Sequence, residues 1–284
     1  MLCLLEHASI YTKGVSNPMK SIRDSWDSMA AAYEDFNSAP DSYSCCIEWP
    51  CIQRMLPDIR GRDVLDLGCG TGIFTFLLEQ YQPRRLVGID LSGEMLRIAR
   101  EKAALRRSRA EWLEGDATRA HDCVQAAFDL VFSSTTTHYL RDLDTFFRQI
   151  ALCLKPGGAC MLSVIHPVYS AQYPIEQGDR FPEDDEWTVR YLDMRSRAYI
   201  QPWIEYNDSV ENELSVSYHY TFSDYVNAIV QAGLTIRRME EPLPPEAWKE
   251  TAPGRYDSFV ETPTYMILLL TRQDGCTGTG KASV

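Results

Sequence analysis

Gly68, Gly70 and Gly72 stand at alternate positions directly after Val64-Leu65-Asp66-Leu67. The apolar run, the glycines and then Ile73, Phe74, Phe76, Leu77 and Leu78 predict a strand, a tight turn and a helix. Glycine lets a backbone approach a ligand closely and accepts positive φ. The free amides at the start of the helix would face that ligand. A dinucleotide-binding fingerprint, G-x-G-x-x-G, needs its third glycine at position 73, where the chain has Ile73. The spacing therefore points to a ligand-binding turn of another kind.

The elements that would position this turn follow in order. Strands are predicted at about 63–67, 85–90, 110–114, 128–132, 159–165, 235–239 and 265–271, with helices between most of them. One helix starts at Ser92 and sets Met95, Ile98, Ala99 and Leu105 on one side. Another carries Leu143, Phe146, Phe147, Ile150 and Leu154 and stops at Lys155-Pro156-Gly157-Gly158. Alternating strands and helices predict an α/β fold with a doubly wound sheet. Such sheets bind ligands beyond the carboxyl ends of their strands. Asp66, Asp90, Asp116 and Ser133 all end strands. Asp90, 18 residues past Gly72, can accept both hydroxyls of a ribose; it could instead cap the next helix, and so could Asp116.

The run Asp66-Leu67-Gly68-Cys69-Gly70-Thr71-Gly72 resembles the nucleotide loop of class I S-adenosylmethionine (SAM) dependent methyltransferases. The resemblance covers about residues 21–165. It implies a Rossmann-like sheet of seven strands in the order 3-2-1-4-5-7-6, the last strand antiparallel. It implies SAM as cofactor and S-adenosylhomocysteine as product, held by Asp66, Gly68, Cys69, Gly70, Asp90, Leu91, Met95, Asp116, Ala117 and Ser133. Asp116 matches the acid that accepts the adenine amino group in that class. Ile22, Trp26, Met29, Tyr33 and Phe36 form one helical stripe. Its Trp26-Asp27-x-x-Ala30-x-x-Tyr33 pattern resembles the helix that closes over the cofactor, which makes Tyr33 a contact residue.

The fourth strand, Asp129 to Ser134, lacks the N-P-P-Y of methyltransferases acting on amide or base nitrogens. Thr137-His138-Tyr139 resembles the ubiquinone/menaquinone-type small-molecule branch, and His166-Pro167-Val168-Tyr169 a motif facing the substrate cavity in one bacterial group. Methyl transfer from SAM is an in-line displacement, helped by a general base when the acceptor carries a proton. Histidine suits that role near neutral pH. His166 is the first candidate, with His138 and His219 next; His7 and His121 lie away from strand ends.

The domain plan is a helical lid over 1–60, a SAM-binding core over 61–166, an inserted cap over 167–220, the rest of the core sheet over 221–272 and a disordered tail over 273–284. The cap is rich in rings: Tyr169, Tyr173, Phe181, Trp187, Tyr191, Tyr199, Trp203, Tyr206, Tyr218 and Tyr220. They suit an apolar or aromatic small molecule or form the cap's own core. The expected function is methylation of such a molecule in natural-product biosynthesis. A methyltransferase-fold cyclase, or methylation coupled to cyclisation, is the alternative.

A formal net charge of -12 argues against nucleic-acid partners and so against an RNA methyltransferase. Nine cysteines without paired spacing predict free thiols and no metal site. No apolar run reaches the roughly 20 residues of a membrane span, and the start lacks a signal-peptide pattern. A cytoplasmic protein is expected, with a possible homo-oligomer formed through the N-terminal helix.

Overall fold

The computed structural model describes residues 21–173, 188–200 and 214–273. Seven strands form one sheet: β1 (Asp63–Leu67), β2 (Arg85–Asp90), β3 (Glu111–Glu114), β4 (Phe128–Ser134), β5 (Leu154–Ile165), β8 (Leu234–Glu240) and β9 (Tyr265–Arg272). Their spatial order is β3-β2-β1-β4-β5-β9-β8. The first five pair in parallel, and β9 runs antiparallel between β5 and β8. Counting only these strands, the order is the expected 3-2-1-4-5-7-6. A separate hairpin, β6 (Arg197–Ile200) with β7 (Leu214–Ser217), lies in the cap region.

Side chains alternate across the pleat, and helices cover both faces. Leu65, Leu67, Val87, Ile89, Val131 and Leu162 point to one face and pack on α6 (Leu143–Cys153) and α8 (Phe222–Gln231). Val64, Leu86, Leu130, Phe132 and Met161 point to the other and pack on α2 (Trp49–Met55) and α3 (Ile73–Glu79). Capping residues set the helix starts. Ser21 caps α1 (Ile22–Asn37), Ser92 caps α4 (Gly93–Arg106), and Thr221 with Asp224 closes a capping box on α8.

Some expectations needed correction. Leu105 is 87% exposed, because the buried stripe of α4 is Met95, Leu96, Ala99 and Ala103 and Leu105 falls off that phase. Strand β5 begins at Leu154, not at 159, since Pro156-Gly157-Gly158 sits in an irregular start where the pairing with β4 shifts register. The segment between β8 and β9 contains α9 (Trp248–Thr251) and α10 (Pro253–Glu261). Their Trp248 and Phe259 pack with Ile47 and Tyr265. On α1, Met29, Ala30 and Ala32 are buried, as the expectation of a lid helix allows, and Trp26 meets Tyr139 edge to face at 4.9 Å. Residues 1–20 of the lid, the cap rings Phe181, Trp187, Trp203 and Tyr206, the side chain of Tyr199 and tail residues 274–284 lie outside the described residues.

Burial separates two positions that both read as core in the sequence. Phe147→Ala, at a fully buried ring of α6, is expected to lower the unfolding free energy by about 3–5 kcal/mol in a denaturant titration. Leu105→Ser is expected to change it by less than about 0.5 kcal/mol.

Candidate active site

The three glycines of the loop have different duties. Gly68 (φ 70°) approaches the Thr136 side chain so closely that a Cβ would collide with it. Gly72 (φ 82°) would place a Cβ 2.6 Å from the Trp112 ring. Gly70 (φ 54°) meets only Cε1 of Tyr33, at 3.8 Å. Two glycines thus let protein pack onto the loop, and the third leaves a face that, among the described residues, Tyr33 alone covers. The amides of Gly68 and Cys69 donate to the Ile89 carbonyl at 2.8 and 3.0 Å, which fixes the loop to the end of β2.

Asp90 holds the loop from the other side. Its Oδ2 accepts from the Gly70 amide at 2.8 Å and its Oδ1 from the Ser92 amide at 2.8 Å. A carboxylate has about four acceptor positions, so Asp90 can still meet a diol. Asp66 is buried at the end of β1, and its Oδ2 accepts from the Thr75 hydroxyl at 2.5 Å. Burial pushes its carboxyl up to about 7, with nearby Asp90 adding to the rise and Thr75 opposing it. Burial also raises Asp90, against the pull of the amides it accepts from. Asp116 Oδ1 caps the short turn Ala117–Arg119 through the Thr118 amide and hydroxyl. Leu91 and Ala117 follow the ends of β2 and β3, and Met95 is buried in the first turn of α4. Ser133 is wholly buried and donates to the Leu67 carbonyl at 2.7 Å, tying β4 to β1.

Among the described residues no lysine or arginine pairs with Asp66 or Asp90. This donor set fits SAM, which brings a ribose diol, an adenine amino group and a net positive charge to a site built of acids. Cations compensate buried carboxylates that have no protein partner. The described residues contain no cluster of His, Cys, Asp and Glu placed to hold a metal ion.

Helix α1 closes over the loop. Asp27 Oδ1 accepts from the Ser92 hydroxyl at 2.5 Å, Lys102 pairs with Glu34 at 2.6 Å, and Arg23 pairs with Glu114. Trp26 meets Tyr33 edge to face at 5.6 Å. Burial, then Glu48, Asp90, Glu34 and Asp66, hold the Tyr33 hydroxyl in its neutral form. Tyr33 is therefore in the field of acids on both sides of the loop.

The three candidate histidines do border the carboxyl edge, but they are bonded differently. His166 Nδ1 accepts from the Val168 amide at 3.2 Å, and Nε2 lies 3.0 Å from Glu241 Oε1. His219 Nδ1 meets the Ser170 hydroxyl at 2.7 Å, and Nε2 meets the Tyr191 carbonyl at 2.9 Å. Both rings have each nitrogen committed. His138 Nδ1 is buried with no partner among the described residues. Burial pushes His138 down to about 3, so it stays neutral.

One buried acid at this edge escaped the sequence reading. Glu48, the last residue of a π-helical turn (Ser44–Glu48), is fully buried. Ser134 Oγ donates to its Oε1, and its Oε2 has no partner among the described residues. The one signal in the sequence was an acid inside the otherwise apolar Cys45-Cys46-Ile47-Glu48-Trp49.

Comparison with known proteins agrees with this geometry. Residues 64–158 match a family described as a methyltransferase domain. An S-adenosylmethionine dependent methyltransferase from Mesorhizobium loti superposes with a TM-score of 0.61 at 29% identity, over 79% of this chain and 97% of that one. An uncharacterised Haemophilus influenzae protein is 26% identical over 76% of this chain and 84% of its own. Juvenile hormone acid O-methyltransferase from Bombyx mori is 39% identical over 50% of this chain, and the match spans only 54% of that enzyme.

Asp90→Ala is expected to weaken S-adenosylhomocysteine binding by about 10- to 100-fold in calorimetry, since hydrogen bonds to a charged group are worth about 1.5–3 kcal/mol. Gly68→Ala should weaken it as well, because the Cβ must displace Thr136 and the loop together.

Proposed function

We propose that this chain, a member of the class I SAM-dependent methyltransferase superfamily with SAM as its methyl donor, methylates a small apolar or aromatic molecule in natural-product biosynthesis. The observation that carries the reading is the position of Tyr33. Its ring covers the open face of Gly70, stands beside Asp90 and lies in the field of Glu48. One aromatic side chain thus belongs both to the donor loop and to the edge where an acceptor would sit.

Further rings line the same carboxyl edge. Tyr139 lies tilted against His138 with ring centres 4.0 Å apart, Tyr265 starts β9, and Tyr169 and Tyr173 pair edge to face at 5.4 Å just beyond β5. Such a wall favours an apolar acceptor held by a few polar contacts. The Bombyx mori relative named above is an O-methyltransferase by name, which supports oxygen as the acceptor atom and leaves the ionic form of the acceptor open. Net negative charge and the absent N-P-P-Y weigh against nucleic acid.

SAM supplies an electrophilic methyl group. The chain's share is to hold the acceptor close and aligned and to keep water away. His166 and His219 serve as braces: one ties the end of β5 to Glu241, the other ties the cap segment near Tyr191 to Ser170. His138 offers a neutral nitrogen for orienting the acceptor.

Incubation with SAM and a panel of p-cresol, benzoate, tyramine and bulk transfer RNA tests the reading by mass spectrometry. The expected result is a gain of one methyl on a small molecule, lost in Asp90→Ala. Methyl transfer to RNA alone would overturn it.

A further inference from the structure

Glu48 is held in an unusual way. It comes from a π-helical turn, a feature that recurs at functional sites. It reaches the carboxyl edge between β4 and β5, where Ser134 and Ser163 are register partners. Ser134 Oγ donates to Oε1; the Ser163 and Ser44 hydroxyls lie near enough to pull on the carboxylate, yet Oε2 and the buried Ser163 Oγ meet no partner at hydrogen-bond geometry among the described residues. A buried carboxylate kept only for stability would have both oxygens satisfied, because each unpaired polar atom costs free energy.

The backbone beside it is strained. Thr135 has φ 47°, a left-handed conformation that a β-branched residue avoids. This turn sends Thr136 onto the Leu67 carbonyl above Gly68 and leaves Ser134 on Glu48. The same three residues therefore touch the donor loop at one end and the buried acid at the other. Ser134 keeps 8% exposure at the edge of the sheet, whereas Glu48 has none.

We propose that Glu48, acting through Ser134, removes the acceptor's proton, and that the acceptor is a neutral alcohol or phenol, not a carboxylate anion. The proposal rests on the methyl-transfer reading above. The acceptor's O–H bond breaks and its proton passes to Ser134 Oγ, whose own proton passes to Glu48 Oε1. The electron pair left on the acceptor oxygen forms the new bond to the methyl carbon as that carbon's bond to sulfur breaks, its pair staying on sulfur. Glu48 ends as the neutral acid and returns the proton to solvent after product leaves. An acceptor that arrives with its proton uses this pair; an anion would meet an acidic edge.

The chemistry of Glu48 suits this role. Burial pushes its carboxyl up to about 7, against the pull of the Ser134, Ser163 and Ser44 hydroxyls. The titratable groups that face it are Tyr33 from α1 and Tyr265 from β9, and burial and Glu48 itself keep both neutral. Because the folded value stands above the ordinary 4.5, this group's contribution to stability is complete below about 4.5 and is lost as pH rises through 7.

The test compares the full chain with Glu48→Gln and Ser134→Ala. S-adenosylhomocysteine calorimetry serves as the control for fold and donor site. Methylation of p-cresol and of benzoate is followed from pH 5 to 9, and melting temperature at pH 5 and 8. The proposal expects p-cresol transfer in wild type to rise about tenfold per pH unit and level near 7. Both variants should lose about 100-fold or more with S-adenosylhomocysteine affinity unchanged, and benzoate should accept no methyl. The fall in melting temperature between pH 5 and 8 should be smaller in Glu48→Gln than in wild type.

A wild type that binds no S-adenosylhomocysteine overturns the methyl-transfer reading, and this proposal with it. Normal binding with undiminished transfer in the variants, or preferred transfer to benzoate, overturns this proposal alone. If p-cresol is not methylated, an equal fall in melting temperature in wild type and Glu48→Gln overturns it.

Discussion

The site depends on carboxylates buried without cations. Asp66 and Asp90 stand at the carboxyl edge of β1 and β2, and neither pairs with a described lysine or arginine. The molecule does use ion pairs elsewhere, as in Lys155 with Asp63 and Asp129 at the opposite end of the sheet. Leaving these acids unpaired costs free energy, a cost that a bound cationic nucleoside would offset. Such an arrangement would select for charge as well as for shape.

Most of the local structure follows from keeping that edge in place. The Ile89 carbonyl and the Asp90 carboxylate fix the glycine loop from β2. Thr136 presses on Gly68 and Trp112 on Gly72, so the loop cannot relax away from the ligand face. Helix α1 is tied to the start of α4 by Asp27 and along its length by Glu34 with Lys102, which brings Tyr33 over Gly70. The strain at Thr135 sits where the donor loop and the buried acid meet.

Features written in consecutive residues were legible in the sequence. The strand–turn–helix around Gly68, Gly70 and Gly72, the strand-end Asp66, Asp90 and Asp116, and the caps Ser21, Ser92 and Thr221 all depend on neighbours a few residues away. Features made by distant partners were not. Glu48 meets Ser134 across 86 residues of chain, and the acid in an apolar run that marks it does not name its partner. The bonding of His166 and His219 depends on Glu241, Ser170 and Tyr191, which no local pattern reveals. Leu105 shows the limit of periodicity: it is apolar, but two residues off the buried phase of α4.

Proton linkage tests the central claim most directly. SAM binding is measured calorimetrically at pH 6.5 in buffers of different ionisation heat, which counts protons exchanged on binding. If the cation is held by carboxylates that burial has raised toward 7, as for Asp66, binding must release protons, approaching one per site, and release must fade by pH 8.5. Tight binding with no proton release at pH 6.5, or with proton uptake, would contradict the account.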